Sequence, residues 1–218
     1  MLCVVIAGVL LAGAVVQAMP EGEAGSNASS FATASTFSSD RTSGLQRLRA
    51  VHEVDDEGRG TARLEGHAAS EFEPLAFDDR GEGRIEPDPD WVDEHIVTAD
   101  VPLLDGPVRC HEVLLPQLEG ALGELEEREL GHLIDPGEYG GCWVPRHIMH
   151  EPDRALSLHA WGLAVDLNVS TNPYGADPQM DERVVEVFER WGFAWGGHWR
   201  TPDGMHFELV EVRDAPRP

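Results

Sequence analysis

The chain has 218 residues, with 40 acidic side chains against 16 basic ones and a formal net charge of -24; every basic residue other than histidine is arginine. Such an excess of acid repels nucleic-acid phosphates and anionic membrane surfaces, which excludes both as electrostatic partners. The length leaves room for one ordinary domain with extensions, since domains most often run to about 100–150 residues.

The first segment is apolar from Leu2 to Val16 and ends in Val16-Gln17-Ala18, a small-residue pattern suited to signal peptidase. Residues 1–18 are therefore expected to be an export signal, with the mature chain starting near Met19. No positive charge leads the segment, so the alternative is an uncleaved anchor, the run being close to the ~20 apolar residues of a membrane-spanning helix. Cys3 falls inside this segment, which leaves Cys110 and Cys142. In an exported, oxidising compartment that even pair is expected to bridge, two buried thiols being the alternative.

From 19 to 90 the chain reads as an acidic, low-complexity linker. "GSNASSFATASTFSSDRTSG" is small and polar, and Val51 to Asp90 holds thirteen acidic residues against four arginines. Too little apolar surface is available to offset ordering entropy, so this stretch is expected to be largely disordered, with Leu75 to Phe77 docking on the folded domain.

Regular patterning begins near Trp91, where Ile96 and Thr98 suggest an extended entry to a folded domain spanning 91–213, with a short tail at 214–218. Leu114, Leu118, Leu122 and Leu125 form a helical stripe, with Pro116 in its first turn. The turn cluster "DPGEYGG" comes next, and then "CWVPRHI", an expected strand edged by Pro145. "MDERVVEVFERWGF" predicts a second helix with Asp181 as N-cap, Val184, Val185, Phe188 and Trp191 buried, and Gly192 at its end. "TPDGMHFELVEV" predicts a turn running into a strand in which Met205, Phe207 and Leu209 alternate with His206 and Glu208.

The chemistry concentrates in "SLHAWGLAVDLN" and in that last strand. Leu163, Val165 and Leu167 alternate with Asp166, placing the carboxylate on a polar strand face, and Gly162 allows a sharp entry that brings His159 back towards it. His206 would close the group from a distant strand. Two histidines and one carboxylate are a catalytic zinc ligand set, which keeps a further position open for water. Asp203, three residues before His206, is then placed to act as general base instead of ligand.

These residues resemble a known family. "SLHAWGLAVD" fits SxHxxGxAxD and "DGMH" fits acid-x-x-His, both patterns of the D-alanyl-D-alanine carboxypeptidase and endolysin-peptidase family of zinc metallopeptidases, which shares the hedgehog-type fold. "WGFAWGGHWRTPDGMHFE" is similar to the way its cell-wall branch closes, and the resemblance runs from about Trp91 to Val210. It implies His159, Asp166 and His206 as ligands of one zinc ion per chain, Asp203 as catalytic acid/base, Arg146 as the cation for substrate carboxylate or oxyanion, and Ser157 close to substrate. His198 departs from the family's pattern, which expects a smaller or acidic residue there.

Trp191, Trp195 and Trp199 read as core and cleft wall, with Trp195 placed among the substrate-binding residues. His111, His132, His147 and His150 complete no ligand set and read as surface or structural. The expectation is thus an α+β protein, a small antiparallel sheet carrying the zinc site with helices behind it. Its function would be that of an exported, monomeric metallopeptidase acting on peptidoglycan stem peptides at the cell wall, without nucleic acid, and without a membrane unless the leader is retained. Alternatives are an L-Ala-D-Glu endopeptidase of the same family and a non-catalytic zinc-containing binding module.

Overall fold

The computed structural model describes residues 47–214; the expected signal segment, residues 19–46 and the tail from 215 lie outside the described residues. Between those limits three α-helices combine with antiparallel sheets of four, two and three strands, so the α+β expectation holds. No helix among the described residues is long and apolar enough to cross a membrane.

The acidic stretch before residue 90 is not a disordered linker where it is described. It forms a meander of β1 (Arg49–Val54), β2 (Arg59–Glu65), β3 (Leu75–Gly81) and β4 (Arg84–Pro87), paired in that order. The physical reason is a period of two hidden beneath the charge. Ala50, Ala62, Leu64, Leu75, Phe77 and Ile85 are buried, while their acidic and arginine neighbours face outward. This inner face joins the same buried cluster as the helices, so the domain begins well before residue 91.

Trp91 lies in a short helix and not in an extended entry: α1 (Pro89–His95) starts with the Asp88 carboxylate accepting the N–H groups of Asp90 and Trp91, and with proline in its first turn. β5 (Ile96–Ala99) pairs with β6 (Val108–His111). The leucine stripe then forms α2 (Leu114–Glu127), with Leu114, Leu118, Leu122 and Leu125 fully buried. α3 (Glu182–Arg190) is capped by Asp181, which accepts the Arg183 N–H, and buries Val184, Val185 and Phe188. Trp191 is only partly buried at its end, its indole N–H donating to Glu124 of α2.

The third sheet, in the order β7 (Ala164–Asp166), β9 (His206–Leu209), β8 (Phe193–Trp195), sets Asp166 directly opposite His206. "CWVPRHI" is not a strand. Pro145 has no N–H to donate to a ladder, and the segment is held by single contacts instead. The Trp143 N–H donates to the Arg109 carbonyl and that of Val144 to the His159 carbonyl, each at 2.9 Å. The β3–β4 hairpin holds the other end: the His147 N–H donates to the Gly83 carbonyl at 2.8 Å, the Ile85 N–H to the Pro145 carbonyl at 3.3 Å, and Arg84 bridges to Arg146.

Candidate active site

Three side chains converge at the edge of the third sheet. Ser157 caps a single 3-10 turn, Leu158–Ala160, by accepting the His159 N–H, and Gly162 at φ +68 reverses the chain into β7. A Cβ at Gly162 would meet the backbone nitrogen of His111 at 2.6 Å, so both the conformation and the close approach require glycine. The reversal carries His159 back over Asp166. Nε2 of His159 and Nδ1 of His206 stand 3.2 Å apart, and Oδ1 of Asp166 lies 3.3 Å from the first and 3.1 Å from the second.

Each imidazole is anchored through its other nitrogen. Nδ1 of His159 donates to the Cys142 carbonyl at 2.8 Å, which turns Nε2 inward. Nε2 of His206 faces Glu208 at 3.3 Å, which turns Nδ1 inward. Two ring nitrogens and a carboxylate oxygen therefore present electron pairs to one point. Ligands ~2.0–2.1 Å from a tetrahedral ion stand about 3.3–3.4 Å from one another, so the observed triangle fits zinc in size and in donor type. The electrostatics agree. Burial alone would lower His206, but hydrogen bonds and charge from Asp166 and Glu208 raise it to about 10. Burial alone would likewise raise Asp166, and the two histidines instead hold it below the ordinary carboxylate range. The pocket is set to hold positive charge.

Asp203 stands beside this triangle in the turn before β9. Its N–H donates to the Gly196 carbonyl at 2.9 Å and its carbonyl accepts the His206 N–H at 3.2 Å, so the turn is pinned to both sides of the site. Its Oδ1 is buried without a hydrogen-bond partner. Burial raises the Asp203 carboxyl above its ordinary value, and the charge of Asp166 adds to the effect against the pull of His206, His159 and Arg146. Arg146 acts electrostatically on both Asp166 and Asp203, while its own hydrogen bond goes to the His147 carbonyl at 3.3 Å. A proton acceptor with an idle oxygen and a cation not bound to a carboxylate thus flank the ligand set.

The other expected site residues land differently. Ser157 is buried, and its hydroxyl oxygen accepts the His159 N–H, so it helps to position that histidine. Trp195 is in the core: its indole N–H donates to the Gly204 carbonyl at 2.8 Å and its ring packs with Phe207 and His198. Cys110 and Cys142 are bridged, with Cα atoms 5.4 Å apart. His198 is exposed and lies 3.8 Å from Glu189.

Among the described residues, His159, Asp166 and His206 are the group arranged to hold a metal, and His111, His132, His147 and His150 are not part of it. His111 is buried and stacks on His95 with ring centroids 5.3 Å apart. Glu208, Arg47 and the Cys142 carbonyl went unforeseen. Glu208 is buried and accepts from Arg47 Nε at 2.7 Å. Burial would raise Glu208, but the charge of Arg47 and the bonds from His206 and Arg47 hold it at about 2. The i, i+2 alternation of His206 and Glu208 was the available signal for that pair; Arg47 had none.

Fold and site together define a small α+β protein with two histidines and one aspartate arranged so that they could hold a metal, beside a carboxylate with one buried oxygen that has no hydrogen-bond partner. Residues 139–209, about a third of the chain, match the family model described as D-alanyl-D-alanine carboxypeptidase, the family that the motifs resemble. The match covers a shorter stretch than the resemblance read from Trp91 to Val210, and includes all three ligands, Asp203 and Arg146. No curated protein and no solved structure matches the chain significantly.

Proposed function

We propose that the chain is an exported zinc metallopeptidase that hydrolyses peptidoglycan stem peptides as a D-alanyl-D-alanine carboxypeptidase. The observation that carries this reading is the placement of Asp203, with an idle buried oxygen, next to a complete ligand triangle. His159, Asp166 and His206 would hold a zinc ion, which would supply Lewis acidity to a carbonyl oxygen and would lower the pKa of water to about 7. Asp203 takes a proton from the attacking water and returns it to the leaving amine, a role that its raised pKa suits. Arg146, with no carboxylate bonded to it, receives the terminal carboxylate of the stem peptide or the charge developing on the scissile carbonyl. That cation favours a carboxypeptidase over an internal endopeptidase, because a terminal D-alanine brings an anion close to the scissile bond.

The Cys110–Cys142 bridge supports export, since such bonds persist in oxidising compartments. A monomer at the cell wall is the form in which this activity is proposed. Incubation of the zinc-loaded chain with defined pentapeptide muropeptides, followed by mass analysis, should show loss of the terminal D-alanine. Asp203→Asn should retain zinc while cleavage falls by about 10²–10⁴-fold, the usual contribution of a positioned base. Cleavage only between L-Ala and D-Glu would move the chain to the endopeptidases. Binding of peptidoglycan without any cleavage by the zinc-loaded parent would make it a binding module.

A further inference from the structure

Arg47 lies just before β1, far outside the matched segment 139–209, yet it reaches the ligand set by two routes. Its Nε donates to Glu208 Oε1 at 2.7 Å, and the other oxygen of that carboxylate faces His206 Nε2 at 3.3 Å. Its guanidinium also lies over the Trp199 ring, 4.1 Å from the centroid, and that ring packs on the His206 imidazole with centroids 5.2 Å apart. One route ends on the nitrogen of His206 that faces away from the metal position, the other on its ring, which Trp199 meets at an interplanar angle of 59°.

Both routes constrain the same two degrees of freedom. The Glu208 contact selects the tautomer and rotation that turn Nδ1 towards Asp166 and His159, and the tilted Trp199 ring, at 59° to the imidazole, limits its movement from the side. Glu208 cannot do this alone. It is 4% exposed, and the Arg47 Nε donor at 2.7 Å holds its other oxygen, so its aim depends on Arg47. Arginine suits the task better than lysine, because its planar group can stack on an indole and bond a carboxylate at once.

We propose that Arg47 is a positioning residue for the metal centre, holding His206 in its ligating orientation through Glu208 and Trp199. The inference rests on the zinc reading of the site and extends it to a residue contributed by the amino-terminal sheet. Outer partners of a ligating histidine typically change metal affinity by about 10–100-fold, and Arg47→Ala in the full chain should weaken zinc binding by that factor. Arg47→Lys, which keeps charge and loses the stack and the fork, should fall between parent and Arg47→Ala.

The measurement is competition against a chromophoric chelator, together with the visible spectrum of the cobalt-substituted protein, which reports ligand geometry, and the melting temperature of the metal-free chain. In a Glu208→Gln background, the further effect of Arg47→Ala should shrink to about threefold or less, because only the Trp199 route is then left to lose. Failure of the parent to bind zinc would overturn the metallopeptidase reading itself. A parent that binds zinc, with Arg47→Ala and Arg47→Lys binding equally tightly and giving an unchanged cobalt spectrum, would overturn the Arg47 proposal alone. So would a lower melting temperature without loss of affinity, since that is what a merely structural ion pair predicts.

Discussion

Removing the Cys110–Cys142 bridge by Cys110→Ala with Cys142→Ala tests stability and site geometry together. The bonded cysteines are 32 positions apart, and the loop between them contains the whole of α2 and the turns after it. For a loop of that size the chain-entropy relation gives a loss of about 4 kcal/mol at 25 °C. In a domain of this length each kcal/mol moves the midpoint by ~2–4 °C, so the double variant should melt about 8–15 °C below the parent. Because the carbonyl that anchors His159 belongs to Cys142, zinc affinity should fall as well. Scanning calorimetry of the two proteins, with alkylation and mass analysis to confirm bridged thiols in the parent, provides the comparison. A midpoint within about 2 °C of the parent would refute the argument, since it would mean that α2 and the turns around it constrain the loop without the bridge.

Three further outcomes are expected from separate features. His159→Ala and His206→Ala should each lose stoichiometric zinc by elemental analysis; full occupancy in either variant would remove that residue from the ligand set. His111 is buried against His95, Trp91 and Phe72, its Nδ1 accepts the Val113 N–H, and burial followed by the charge of His95 pushes it down to about 4. The unfolded chain then takes up this proton first as pH falls below 6.5, so stability should drop by up to about 3 kcal/mol between pH 6.5 and 4, and His111→Gln should flatten that part of the melting profile relative to the parent. At Gly196 a Cβ would lie 2.6 Å from the Asp203 carbonyl oxygen and 3.1 Å from its Cβ, so Gly196→Ala should displace the base. The same Cβ would lie 3.3 Å from the His206 Cβ, so the hydrolysis rate should fall by ~10²-fold, and an unchanged rate would show that the turn does not set the position of Asp203.

The site was more legible in the sequence than the scaffold around it. His159, Gly162 and Asp166 sit within one turn and one strand, so local geometry alone brings the first two ligands together. His206 and Asp203 could be added because strand alternation marks one and a Pro-Asp-Gly turn marks the other. Arg47 and Glu208 are 161 positions apart, and nothing local in either segment points to the other. The meander of β1–β4 was hidden because its inward positions include small alanines while acids crowd the outward ones, so average composition concealed the alternation. Ser157 and Trp195 show a different limit. The family resemblance put Ser157 close to substrate and Trp195 was placed among the substrate-binding residues, but whether a hydroxyl or an indole is already engaged depends on orientation, which packing decides.

The hairpin between β3 and β4 gives the matched segment a dependence on a distant part of the chain. Gly83 and Ile85 hold the backbone on both sides of Arg146, and a Cβ at Gly83 would lie 2.2 Å from the His150 carbonyl carbon, so the two pieces are in direct contact. The catalytic stretch is therefore not a portable cassette. A fragment trimmed to 139–209 would keep His159, Asp166 and His206 and lose the frame that holds Arg146, and a chimera that grafts this stretch onto another scaffold would need to rebuild that hairpin.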